Sequence, residues 1–366
     1  MPHIQVRARP RPVIRSASAP SPLLRDAAKM SPAFWRRRGV NAGAQGEIAR
    51  RCATMRFSAR ALLATVRRNE SGVAGMQVVF HCGVHGTDLY RMVKTLLQNR
   101  DWLLRNGIEP VTPNRHGEIF NEALSALRGG PATPAMEQVM LDAILDSDDP
   151  RRIICSTPSF LGRAVRAISP EGLYVTAGQK MAALANLFPS AEVEFFMALK
   201  NPATLISFIL SQEGGGSYAE LMEGVDPEAL RWAPALRRIQ AALPGRRLVV
   251  WCHEDTSLIW PEVVRRIATM PADVPLKAGL QILGDILHPD GIRMVRDALA
   301  QEERLTVASR RRIFAAALEA HGQSEQIEVE LNLPGWTQQL VDRITAAYDA
   351  DMAEIAALPG IEFLTP

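Results

Sequence analysis

Gln77-Val78-Val79-Phe80-His81-Cys82-Gly83-Val84-His85-Gly86-Thr87-Asp88 is the stretch on which the fold turns. Its first six residues form a short apolar run closed by a glycine, the pattern of a buried strand. The residues after it, 88–106, carry Met92, Val93, Leu96, Leu97, Leu103 and Leu104 largely on one face, and Asn106-Gly107 supplies a stop, so they read as a helix. A strand, a glycine turn and a helix start together make a natural anion site. Free backbone N–H groups and the positive end of the helix dipole both face a ligand there.

Outward from this stretch the same alternation repeats. Strands are expected at Arg152–Ser156, Val193–Leu199 and Arg247–Cys252, with short extended pieces at Ile108–Val111 and Ile361–Leu364. Helices are expected over 118–128, 134–146, 159–167, 177–188, 203–212, 290–300 and 309–320, with another beginning at Pro261, helical segments within 226–242, and a mostly helical stretch over 335–358. Strands alternating with helices predict an α/β fold: three layers, a parallel sheet with helices on both faces. Ligands in such sheets bind beyond the carboxyl ends of the strands, so the residues after each strand carry the functional reading.

The charge is divided unevenly along the 366 residues. Residues 1–75 hold 14 Arg and one Lys against Asp26, Glu47 and Glu70, a net of +12, which leaves −9 for 76–366. A basic extension therefore precedes an acidic domain. Its Arg-, Pro-, Ala- and Ser-rich first 40 residues show no sustained period and are expected to lack regular structure. Three readings of the extension stay open: a transit peptide, a nucleic-acid-binding arm, or a segment upstream of a translation start at Met76. The last is preferred, because Met76 stands directly before the first strand. Nucleic-acid binding by residues 76–366 is not expected. No apolar run reaches the roughly 18–20 residues a membrane span needs. Cys52, Cys82, Cys155 and Cys252 are widely spaced and read as reduced thiols of a cytoplasmic protein.

The strand ends resemble those of the sulfotransferase family. His81-x-Gly83-x-His85 followed by Gly86-Thr87 is similar to that family's phosphate loop without its Lys-Thr pair, and Leu96, Asn99, Leu104 and Gly107-Ile108 continue the likeness. Lys200-Asn201-Pro202, with Ser207 further on, is similar to the Arg-x-Pro and Ser that follow the family's third strand. The resemblance implies a phosphate-loop nucleotide-binding architecture. It also implies sulfuryl transfer from 3′-phosphoadenosine 5′-phosphosulfate to a hydroxyl or amine acceptor, small molecule or glycan. Gly83, Gly86 and Thr87 would hold the cofactor's 5′ side, and Lys200 and Ser207 its 3′-phosphate.

The missing lysine leaves a gap that Arg91, one turn into the helix, is placed to fill, since helical side chains lean toward the N-terminus. His85 and His253 are the expected catalytic groups, His253 because an ordinary imidazole titrates near neutrality. His81, Glu254 and Asp255 lie close by in sequence. Two alternatives remain. One is a catalytically inactive nucleotide- or partner-binding protein on the same fold. The other is a metal-dependent enzyme using Cys82, His85, Cys155, Cys252, His253, Glu254 and Asp255 as ligands.

Overall fold

The computed structural model describes residues 4–6, 75–88 and 90–366. The readings made for the basic extension lie outside these residues, save that Ile4–Val6 forms a short strand antiparallel to Val329–Leu331.

Six strands build the main sheet: β1 (Gln77–Cys82), β2 (Ile108–Val111), β3 (Arg152–Thr157), β4 (Glu192–Leu199), β5 (Arg247–Cys252) and β6 (Ile361–Leu364). Every pairing is parallel, and the strands lie side by side in the order β2-β3-β1-β4-β5-β6. The chain runs outward on one side of β1, returns, and crosses to the other side. The direction of winding therefore reverses about β1, the place where sheets of this kind commonly bind ligands beyond the strand tips. Pro110 sits in β2, which among the described residues pairs only with β3, so it lies on an edge strand, where a proline is tolerated.

The strands are apolar on both faces because both are covered. Val78, Phe80 and Cys82 of β1 enter one core layer and Val79 the other, all of them fully buried. Counting helices of six residues or more, α1 (Arg91–Gln98), α2 (Arg100–Arg105) and α8 (Thr256–Ala268) cover the Val79 face through Met92, Leu96, Leu103, Ile259 and Trp260. The opposite face is covered by α3 (Pro113–Leu127), α4 (Pro134–Ile144), α5 (Ala177–Ala185), α6 (Pro202–Ser211), α7 (Trp232–Ala242) and α11 (Gln338–Ala356). The hairpin of α9 (Pro289–Gln301) and α10 (Val307–His321) has a small core of its own around Val295, Phe314 and Ala317.

A charged network ties the amino-terminal ends of the strands. Buried Arg152 donates to Gln77 Oε1 (2.6 Å), Glu194 Oε2 (2.9 Å) and the Ile267 carbonyl (2.9 Å). Arg247 bridges Glu194 (3.2 Å) and Glu362 (2.7 Å). One chain of contacts thus joins β1, β3, β4, β5 and β6 at their starts.

Three expected elements differ. The helix expected over 88–106 is two, because Asn99 breaks it: its amide donates to the carbonyls of Thr95 (2.8 Å) and Lys277 (3.0 Å) and accepts from Lys277 N–H (3.0 Å). Residues 159–167 form two 3₁₀ turns, Pro158–Leu161 and Ala164–Arg166, separated by Gly162 at φ +96°. Helix α8 begins at Thr256, five residues before Pro261, which lies inside it rather than at its start.

Candidate functional site

The turn after β1 is closed on itself. Thr87 N–H and its hydroxyl both donate to the Val84 carbonyl, at 3.1 and 2.7 Å. Gly83 lets the chain lie against Pro158, whose Cα would be 3.3 Å from a Cβ at residue 83. Gly86 has φ +79°, and a Cβ there would sit 2.6 Å from the Phe208 ring. Val84, Thr87 and Asp88 are buried. Asp88 then caps α1 with its own carboxylate, accepting from Met92 N–H at 2.9 Å. This is the position at which a bound anion would meet the helix start.

His85 spans two neighbours. Its Nε2 lies 3.0 Å from the Gly162 carbonyl, which can only accept, so Nε2 carries the proton. Nδ1 therefore accepts from the Tyr174 hydroxyl at 2.8 Å, and the His85 backbone N–H donates to the same oxygen at 3.2 Å. Burial lowers the pKa of His85, the Gly162 hydrogen bond opposes that, and Lys180 adds to it. His81 is set beside Ser156 by strand register, and their Nδ1 and Oγ lie 2.7 Å apart. Its ring stacks over Trp251 at 5.9 Å. Burial lowers its pKa too, with Asp88 pulling the other way.

Lys200, at the end of β4, is buried and turns back to this loop. Its ammonium donates to the Gly86 carbonyl at 3.0 Å and lies 5.6 Å from the centre of the Phe208 ring. Burial pushes its pKa down to about 8, against the pull of Glu254. Glu254 accepts from Asn201 N–H and the Tyr348 hydroxyl, both at 2.8 Å, and burial pushes its pKa up. His253 is buried, and its Nδ1 has no hydrogen-bond partner among the described residues. Its pKa is driven well down by burial, then by Lys200 and Arg91.

The expected site residues are thus gathered only in part. Gly86 and Lys200 touch, and His253 lies within the electrostatic reach of Lys200 and Arg91. Arg91 does not lean back to the loop, because it pairs with Asp285. Thr87 spends its hydroxyl on its own turn, and half-buried Ser207 joins none of these contacts. The metal grouping does not assemble: no three His, Cys, Asp or Glu side chains among the described residues converge to hold an ion. Cys82, Cys155 and Cys252 are buried and form no disulfide among the described residues, and burial pushes the thiols of the first two up.

Beside the loop, beyond the ends of β2 and β3, lies a cavity of about 340 Å³ between α3, the 158–162 turns and α5. His116, Phe120 and Phe160 form a stacked wall, with His116 4.9 Å from Phe120 and 5.4 Å from Phe160, centre to centre. Thr157, Ser159 and Lys180 add polar groups. Sequence reasoning missed this site. His116 and Lys180 are 64 positions apart with no motif between them, and only the fold of the turns brings them together.

No helix among the described residues is long and apolar enough to cross a membrane. No family model, no curated protein and no solved structure matches the chain.

Proposed function

We propose that this chain is a sulfotransferase-like protein whose phosphate loop has become a structural turn, so that it binds a ligand without sulfuryl transfer. The order of the strand-end features supports the family likeness: a glycine turn after β1, and Lys200-Asn201-Pro202 after β4. The loss of transfer rests on one observation. The start of α1, where a nucleotide's phosphates would sit, is held by the Asp88 carboxylate, whose charge repels them, while buried Lys200 gives one of its N–H groups to the Gly86 carbonyl.

The transferase reading is the second, and a specific feature favours it. Lys200 and Arg91 both act electrostatically on His253, which burial holds neutral, the form a general base requires. In that reading 3′-phosphoadenosine 5′-phosphosulfate is the donor, Lys200 stabilises the leaving phosphate, and His253 or His85 takes the proton of a hydroxyl or amine acceptor.

Calorimetric titration of the full chain with 3′-phosphoadenosine 5′-phosphate separates the two. The closed loop predicts no binding tighter than about 1 mM. Micromolar binding that Lys200→Ala weakens by about tenfold or more would overturn it and restore the transferase.

A further inference from the structure

We infer that the cavity between α3, the 158–162 turns and α5 is a binding site for a small aromatic carboxylate. The inference uses the cavity's own residues, so it holds or fails whichever reading of the phosphate loop is right.

The size comes first. About 340 Å³ lies at the lower end of the range for small-molecule sites. The shape of the wall comes second. His116, Phe120 and Phe160 stack with 26° between the imidazole and each phenyl plane, and Leu124 and Leu184 extend the apolar surface. A flat ring packs against such a wall better than a branched chain does.

Charge is the third consideration. Lys180 lines the cavity and, among the described residues, no Asp or Glu does. Its ammonium donates to the Leu161 carbonyl at 2.8 Å, which leaves two of its three N–H groups for a ligand. The backbone keeps that position clear. Gly162 has φ +96°, and a Cβ there would overlap the Lys180 nitrogen. The hydroxyls of Thr157 and Ser159, 3.0 Å apart, and the Asn121 amide are further donors on the lining.

His116 supplies the independent sign of a ligand. It is 1% exposed, lines the cavity, and neither ring nitrogen has a hydrogen-bond partner among the described residues. A buried polar group without a partner is costly, by about 1–3 kcal/mol. A carboxylate in the cavity relieves that cost by accepting the imidazole N–H. The same carboxylate meets the Lys180 ammonium, and its ring meets the Phe120 and Phe160 wall.

The test is calorimetric titration of the full chain with 2-naphthoate and with its uncharged match, 2-naphthamide. The carboxylate is expected to bind with Kd between about 10 µM and 1 mM, as its atom count allows. The amide should bind roughly tenfold more weakly or worse. Lys180→Met and His116→Phe should each weaken the carboxylate by about fivefold or more while leaving the amide nearly unchanged. Lys200→Ala should leave naphthoate binding intact, which separates this site from the phosphate loop. Circular dichroism establishes that each variant is folded, and Gly162→Ala, which displaces the ammonium, is the second route should Lys180→Met fail to fold. Equal binding of acid and amide, no binding of either by folded protein at millimolar concentration, or naphthoate affinity unmoved by loss of Lys180 would each overturn the inference.

Discussion

A methyl group added at residue 86 would meet both a ring and a strained backbone, and the two costs are separable. Gly86 combines φ +79° with the Phe208 ring 2.6 Å from where a Cβ would stand. Gly86→Ala is expected to cost about 2–4 kcal/mol in urea unfolding, from overpacking and left-handed strain together. In a Phe208→Ala background only the strain of about 1–2 kcal/mol should remain. His116 offers a test with pH. Burial pushes its pKa down to about 4 from 6.5. The unfolded chain therefore binds a proton between these values that the folded chain does not. The stability concerned is fully present above about pH 6.5 and is lost as pH falls through about 4. The difference amounts to roughly 3 kcal/mol at most. Acid unfolding followed by fluorescence should show a shallower loss of stability over this window in His116→Phe, whose ring keeps the stack. At this scale the sequence was legible where a residue's role follows from its neighbours. Gly86 is marked by its place between strand and helix. Lys200 could be placed at a strand end but not turned inward onto Gly86, since that depends on how α6 packs Phe208 beneath it.

Helix α1 begins awkwardly. Tyr90, just before it, sits at φ 64° with its side chain partly exposed, a conformation that costs an ordinary residue about 1 kcal/mol. Tyr90→Gly is expected to stabilise the protein by about 0.5–1 kcal/mol by thermal or urea unfolding, while Asp88→Ala, which removes the cap on Met92, should cost about 1 kcal/mol. Elements of this kind were largely legible in the sequence. The four longer runs of the sheet, in β1, β3, β4 and β5, stand out because both faces are buried, and Pro134, Pro202 and Pro289 mark true helix starts. The same rule misread Pro261, because α8 tolerates a proline one turn and a half inside. The sequence over 159–167 reads as one helix. Gly162 breaks that stretch, and its left-handed backbone is not announced by its neighbours.

Over the whole molecule the foot of the sheet is held by charge. Glu194 lies between Arg152 and Arg247, and the Arg152 and Glu194 side chains are 3% and 4% exposed. Glu194→Gln strands a buried guanidinium and is expected to cost about 3 kcal/mol in urea unfolding. Replacing both partners, as in Arg152→Met with Glu194→Leu, should cost less than that single change. Composition and strand order suffice to predict a covered parallel sheet. They could not reveal the cavity, whose lining is drawn from α3, the 158–162 turns and α5.

That charged foot also bears on how the molecule opens. Strands joined at one end by ion pairs, with β2 and β6 each paired on one side only among the described residues, do not release their backbones together. Amide protons of β1 and β4 should exchange with deuterium only when the entire protein unfolds. Those of the two edges should exchange earlier through local fraying, although each has an anchor: β6 through Glu362 on Arg247, and β2 through buried Glu109, which accepts from the N–H groups of Asp146 and Ser147. Deuterium uptake resolved by peptide would then set the centre of the sheet apart from its two margins, the margins breathing while the centre stays shut.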